Sequence, residues 1–492
     1  MKTLTKSQGF CFSCRNFEAM ILTSPPLSNL LRGLALLSLT CLITLNGLSQ
    51  ERYEAILLGN WNDETIVGSE NHNNSYNETW GIAINGKEYG IIGSTGGTHF
   101  IDVTDVDNIT EAFLVPGGSV GSQIIHRDFH SHNGYLYAVA DQGVESTLQI
   151  IDITQLPEKI EVVYDSGEFS NRTHNIYIDT FTNRLYLCKT GGDNLDRIGM
   201  RILDISNPIE PVLIYEMLTL EGFGPIDTVH DAYVVDNVAY LNIGNQGFAI
   251  VDFTDIDNPQ ILATLFPDDY QQSGYNHSGW ATPDQKYYYM ADENHGLDIK
   301  VVDLQDRPDI YVTDTIDANN DLPFSIPHNL IVHDNYLYAS YYYDGLQIYD
   351  LTDPAHPVNV SFYPTTDIEH KARWEGAWGV YPFLPSGKIL VSDMQNGLFV
   401  LKLPALSSVE DQNDEPTFVM SPNPSSGEVT IDISQLYTKF DSEVYVTSLE
   451  GKLVMKQSVI NESLSFILDP GLYFVQLKSG STCLTQKLIV RN

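Results

Sequence analysis

Basic residues are scarce in this chain of 492 residues: 26 Lys and Arg stand against 64 Asp and Glu, for a formal net charge of −38. A surface of that sign repels phosphate, so nucleic acid is excluded as a partner, whereas cations are attracted. Cysteine is nearly absent. Of five, Cys11, Cys14 and Cys41 lie near the N-terminus, and Cys188 and Cys483 fall in what read as different domains. No disulfide framework is expected, and the Cys-x-x-Cys at Cys11 belongs to a leader rather than to a redox or zinc motif. Cys188, in the strand-like RLYLCK, reads as a core residue. Nucleophile and metal signatures are missing too: there is no G-x-S-x-G, no H-E-x-x-H, no phosphate loop and no EF-hand loop. Beyond the leader no apolar run reaches the length of a membrane span.

Residues 1–49 read as a secretory signal. Lys2, Lys6, Arg15 and Arg32 precede the apolar run Leu34 to Leu45, and the small residues Gly47 and Ser49 precede a cut before Gln50. Met20 is an alternative start that would shorten an unusually long basic region. Cys41 sits inside the apolar run behind Thr40, which is not the setting of a lipid-attachment cysteine.

What the chain does have is a repeat. FIDVTD at Asp102 recurs as IIDITQ at Asp152, ILDISNP at Asp204, IVDFTD at Asp252, VVDLQD at Asp303 and IYDLTD at Asp350, with LFVLKLP and Lys402 as a seventh, divergent copy. The intervals are 50, 52, 48, 51, 47 and 52 residues. Gly97, Gly247, Gly296, Gly345 and Gly397 precede this strand, and 28 Tyr enrich the chain in residues suited to twisted sheets. A period near fifty with several strands per unit predicts an all-β fold, a seven-bladed β-propeller over residues 50–404. The seventh copy lacks an obvious fourth strand, so the run from Ala55 to Trp61 is expected to supply it and to remove two sheet edges at once. Residues 405–416 form a polar, acidic linker. Residues 417–492, alternating strands between glycine turns, read as a small Ig-like β-sandwich.

Two resemblances sharpen this. The Ile/Leu/Val-Asp-Val/Ile/Leu-Thr/Ser-Asp core resembles the LVIVD repeat of choice-of-anchor B-like proteins, which implies an extracellular propeller. The C-terminal segment resembles the type A sorting domain of the type IX secretion system, on Pro422-Asn423-Pro424, the turn at Gly451, the strand opening at Gly471 and Tyr473, and the terminal KLIV strand. That resemblance implies handling by the type IX machinery. It also implies a protein secreted from, or attached to the outer surface of, a Gram-negative bacterium, with no transmembrane segment in the mature chain.

Two repeated positions could carry chemistry. The Asp closing each third strand, followed by Thr or Ser, is expected to bind its own turn backbone rather than a metal. DVTDVDN and DFTDIDN look Ca²⁺-like but lack the glycine and distal Glu of an EF-hand. The start of the first strand carries His126, His174, His230, His277 and His328, with Trp80 and Trp378 in the flanking repeats. In a propeller that position lines the channel, beside turns bearing Asp141, Asn245, Asp292, Glu293, His295, Asp344 and Asp393. One reading is that each histidine orders its own blade. The other is a ligand site: the five histidines with Glu293 and His295 around a divalent metal, Ca or Zn, or a Trp80/Trp378 wall with Glu78 and Glu375 nearby facing an extracellular glycan, peptide or protein. The leading expectation is a binding module; the alternative is a metal-dependent hydrolase or lyase at the channel mouth.

Overall fold

The structure is a computed structural model. It describes residues 52–191, 198–320, 322–404, 419–421, 425, 428–432, 443–448, 452–459, 463–479 and 482–491. Residues 1–49 and 405–416, expected from the sequence to be leader and linker, and Pro422, Asn423, Pro424 and Gly451 therefore lie outside the described residues. The chain forms two compact units, 1–404 and 405–492. Among the described residues the only helix is a 3₁₀ turn, Pro267–Asp269, and no helix is long and apolar enough to cross a membrane.

The first unit is a β-propeller of four-stranded antiparallel sheets, each a meander running from an inner to an outer strand. In the first sheet the order is Tyr76–Ile84, Lys87–Ser94, Gly97–Asp102 and Thr110–Pro116. The following inner strands are Arg127–His132, Asn175–Asp179, Asp231–Val235, Asn276–Ala281, Pro327–His333 and Ala377–Tyr381. Each inner strand touches the next, and Ala377–Tyr381 touches Tyr76–Ile84, which closes the circle. The turns obey local chemistry. Asn85-Gly86 and Asn133-Gly134 both take positive φ at their two central positions (50° and 76°, 50° and 83°), the pairing that fits the twist of a two-residue hairpin.

The recurring glycine before the third strand has a steric cause. A Cβ at Gly97, Gly247, Gly345 or Gly397 would lie 2.1–2.4 Å from a carbonyl oxygen of the neighbouring outer strand. Only a residue without a side chain lets the two backbones pass that closely. The repeated aspartates do bind their own turns: Asp102, Asp152, Asp204, Asp252, Asp303 and Asp350 each accept a hydrogen bond from the backbone N–H two residues on, at 2.6–2.9 Å.

The last sheet is completed from the other end of the chain. Ile56–Trp61 pairs antiparallel with Gly397–Lys402, and Trp61 packs on Tyr76 and His99 with ring centroids 5.8 and 5.2 Å apart. Leu57, an apolar residue of this strand, is 45% exposed, so the apolar packing of the seam comes from Leu58 and Trp61. A second pairing was not foreseen: Tyr53–Glu54 adds in parallel to the outer strand Val358–Tyr363 of the adjacent sheet.

The described residues of the second unit form two sheets. Val419–Ser421, Glu428–Asp432 and Ser463–Ile467 form one; Leu453–Ser458, Glu443–Ser448, Gly471–Ser479 and Thr482–Val490 form the other. Val429, Ile431 and Phe466 from the first share a core with Val444, Val475 and Leu488 from the second, the sandwich packing of two half-apolar sheets. Tyr473 donates its hydroxyl to the Asp469 carbonyl at 2.9 Å.

Candidate functional site

The five histidines meet on the channel axis. Consecutive imidazole centroids lie 4.3 Å (His126–His174), 4.1 Å (His174–His230), 4.1 Å (His230–His277) and 4.3 Å (His277–His328) apart. Trp378 closes the circle, 4.7 Å from His328 and 5.4 Å from His126. In the repeat of the strand Tyr76–Ile84 this position belongs to Asn77, not to Trp80. Tyr76, Asn276, Pro327 and Ala377 all pair with the last residue of their second strand, Ser94, Asp292, Tyr341 and Asp393. The residues that follow them, Asn77, His277, His328 and Trp378, therefore occupy one ladder position.

Trp80 lies three residues deeper, stacked near His130 (4.3 Å) and Tyr381 (4.8 Å), with its indole N–H donated to Ser131 Oγ. Its counterpart is Trp280. Two further candidates also stand apart. His295 contacts Trp374 and Phe324 at the rim and bonds the Arg373 carbonyl. Glu375 pairs with Lys371 at 3.4 Å.

Hydrogen bonds fix most of the ring. His230 donates Nδ1–H to the His277 carbonyl at 3.1 Å, and His328 donates Nδ1–H to the Trp378 carbonyl at 2.7 Å. His174 Nδ1 lies 2.7 Å from the Asp141 carboxylate, itself 3.5 Å from Lys189. Each of these bonds places the ring proton on Nδ1 and leaves Nε2 with its lone pair, the arrangement found behind metal-ligating histidines. His277 differs: its Nδ1 is buried without a partner, and its Nε2 is 3.7 Å from Glu293. Ligand atoms of His174, His230 and His277 all lie within 4.8 Å of one another, as do those of His277, Glu293 and His328. His126 turns its Nε2 to Asn175 Oδ1 at 3.1 Å and keeps Nδ1 buried and unbonded.

Burial keeps these rings neutral. Desolvation lowers His126 to about 4 and His328 to about 3, and holds His174, His230 and His277 well below the usual imidazole value, with the other ring members pushing the same way. Neutral imidazole is the metal-binding form. Glu293 is raised to about 7, mainly by burial, while the Tyr342 hydroxyl donates to it at 2.7 Å.

The other acidic turn residues have structural partners. Asp292 pairs with Lys300 at 3.1 Å with both side chains fully buried. Asp344 accepts from Ser325 and Asn320, and Asp393 accepts from Thr365 and two backbone N–H groups. Cys188 is a free, fully buried thiol.

Sequence reasoning singled out Trp80, with Glu78 beside it, but not the second layer to which both belong. Below the imidazoles a cavity of about 60 Å³ is lined by Glu78, Asp128, Asn175, Asp231, Ser278 and Asn329, and then by the rings of Trp80, His130, Tyr177 and Trp280. Desolvation raises Glu78 well above its ordinary value, Asp128 to about 8 and Asp231 to about 6. The available signal was the acid one or two residues after a channel histidine, in HRD and HDA. Lys189, whose φ of 48° is unusual for a side chain of its size, and Tyr342 carried no sequence signal.

An exported propeller with a histidine-lined axis is thus the class these observations define. Residues 420–491 match the model of the secretion system C-terminal sorting domain, so the second unit is a sorting domain of type IX export and the protein is destined for the cell surface or the medium. No curated protein matches the chain. Among solved structures, a protein from Lactobacillus plantarum aligns with TM-score 0.44 and 13% identity over 76% of this chain and 96% of its own. The periplasmic gluconolactonase of Pseudomonas aeruginosa aligns with TM-score 0.47 and 10% identity over 85% and 99%. Likeness at that level says nothing about chemistry here.

Proposed function

We propose that this is a seven-bladed propeller of the LVIVD kind, delivered by its sorting domain after loss of the 1–49 leader, that holds a divalent metal in its imidazole ring. Through that metal and the mouth above it, the propeller binds an extracellular ligand. The observation that carries this reading is the convergence of His174, His230 and His277, with Nδ1 of the first two held by a carboxylate and a carbonyl. Three neutral imidazoles favour zinc over calcium, which prefers oxygen. His328 and Glu293 extend the donor set.

The test is metal content. Purified protein is expected to carry about one equivalent of zinc, and His230→Ala and His277→Ala are expected to lose it while remaining folded. Absence of metal in the wild type, or unchanged metal in both variants, overturns the reading and leaves the histidines as blade-ordering groups.

A second reading, metal-dependent hydrolysis or elimination, draws on Glu293. A carboxyl raised to about 7 beside a proposed ligand and a tyrosine hydroxyl suits general acid–base work. Glu293→Gln separates the two readings: unchanged ligand affinity supports binding alone, and lost turnover with retained metal supports an enzyme.

A further inference from the structure

The layer beneath the imidazoles is a different kind of site. Glu78 and Asp128 are 5% and 7% exposed, and Asp231 lines the same cavity. Among the described residues none of the three has a basic partner; the charged groups acting on Glu78 are Asp128 and Asp231, the one acting on Asp128 is Asp231, and Asp231 is met by hydrogen bonds from Ala232 and Asn175. A buried carboxyl without a countercharge is held neutral by its raised pKa, and a cation that enters beside it supplies the charge that lets it ionise. Part of their hydrogen-bonding capacity is met by the backbone N–H groups of Thr79, Ile176 and Ala232 and by the Asn329 amide, yet no countercharge is supplied.

A second observation is independent of the acids. His130, 7% exposed, lines the cavity with Nδ1 at 3.4 Å from the Ser131 carbonyl and, among the described residues, no hydrogen-bond partner at Nε2. It lies between Trp80, tilted to it at 4.3 Å, and Tyr177, edge-on at 5.0 Å, and Trp280 stands 5.8 Å from Tyr177.

These features select the ligand. The oxygens of the three acids do not gather within 4.8 Å of one another as the imidazole nitrogens do, so a bare metal ion cannot be held by all three. A larger cation bridges them. The aromatic walls suit an organic one, because ring faces attract cations and pack on their carbon atoms. At about 10–15 Å³ of such volume per water-sized group, a cavity of about 60 Å³ takes an ammonium head and a short alkyl chain.

We propose that this chamber binds a protonated primary amine, its ammonium among Glu78, Asp128 and Asp231 and its alkyl chain against Trp80, Tyr177 and Trp280. Unlike the metal reading, this one needs nothing from the ring above. The amine enters past the half-buried indoles, whether as a small molecule or as the lysine side chain of a peptide.

The probes are n-butylammonium and Nα-acetyl-lysine methylamide, titrated into the purified protein by calorimetry and indole fluorescence, with 1-butanol as the neutral control. Saturable binding of either amine, absent for butanol and unchanged after EDTA, is expected. Binding of both assigns the lysine side chain as a source; binding of butylammonium alone assigns a free amine. Asp128→Asn and Asp231→Asn should each weaken it at least tenfold, and Trp80→Leu severalfold. No saturable amine binding, equal binding of butanol, or full affinity in both Asp variants overturns the proposal. Should Asp128→Asn fail to fold, the more accessible Asp231→Asn decides it together with the wild-type titration. Loss of binding after EDTA overturns the independence from the metal.

Discussion

Two positions repeat along this chain with the same regularity, and they do opposite things. The aspartate closing each third strand binds backbone two residues away, inside its own turn. Three of the five histidines that open first strands reach the next blade: His230 to the His277 carbonyl, His328 to the Trp378 carbonyl, His126 to Asn175, each about fifty residues off, and a fourth, His174, reaches back to Asp141 in the preceding one. Repetition alone does not separate a structural device from a site. The sequence distance to the partner does, because a side chain satisfied within its own turn has nothing left to offer, whereas one that ties blades together must point into the space they share.

If distant partners hold the ring, the largest loss comes from removing the most distant pairing. Deleting residues 52–63 strips the outer strand from Gly397–Lys402 and the parallel addition on Val358–Tyr363. It also removes Arg52, which bonds Asn359 and Gln347 and lies over Phe362. Loss of Trp61 burial, at about 1.5–3 kcal/mol per large apolar side chain, adds to several ladder bonds at about 0.5–1.5 kcal/mol each. The expected outcome is a loss of several kcal/mol, read as a much lower melting temperature or aggregation through the freed edge. An unchanged melt would mean that the seam contributes nothing to closure.

The same logic explains what was legible in the sequence. Period, strand count per repeat, the glycines and the aspartate turns all depend on neighbours in the chain, and each could be read there. The histidine ring was legible because the position recurs. Trp80 was misplaced because several inner strands carry a register shift near the channel, between Tyr76 and Thr79, Asn276 and Ser278, Pro327 and Leu330, and Ala377 and Val380. A bulge turns consecutive residues to one face, so Asn77 and Glu78 both reach the axis. In the unshifted strand Arg127–His132 alternate residues do so, taking His126, Asp128 and His130 to the channel. No periodicity written in the residues marks that switch, and the acidic layer was hidden by it. The turn between second and third strands suggests His295, and nearness to Trp378 suggests Glu375, but His295 bonds the Arg373 carbonyl and Glu375 pairs with Lys371.

Acid sharpens the comparison next. His126 has a folded value of about 4 against an ordinary 6.5, so the unfolded chain takes up the proton first and stability falls as pH drops from about 6.5 to about 4. Against His126→Gln, which lacks that proton, the wild-type advantage should shrink by about 3 kcal/mol across this window, because each tenfold difference in proton affinity is worth about 1.4 kcal/mol. Taking the difference cancels the buried carboxylates, which titrate the other way. Paired denaturant melts at successive pH values measure it. A constant difference would show that the imidazole is not held neutral by burial.

The smallest effect is expected at the repeated aspartate, and its smallness is the point. Asp204 accepts the Ser206 N–H at 2.8 Å, and the hydrogen bonds from Ser206 hold its carboxyl below the usual range. Its contribution is therefore present above the ordinary carboxylate value and lost only as pH falls through the lowered one, outside the window in which His126 acts. Asp204→Ala removes one half-exposed turn bond, about 1 kcal/mol, a shift of only a few degrees in a domain this large. Metal content and amine binding should not move, because no other blade depends on that carboxylate. A variant that lost either would show that a turn bond two residues long reaches the channel after all, and the division between locally satisfied and blade-spanning side chains would fail at its simplest case.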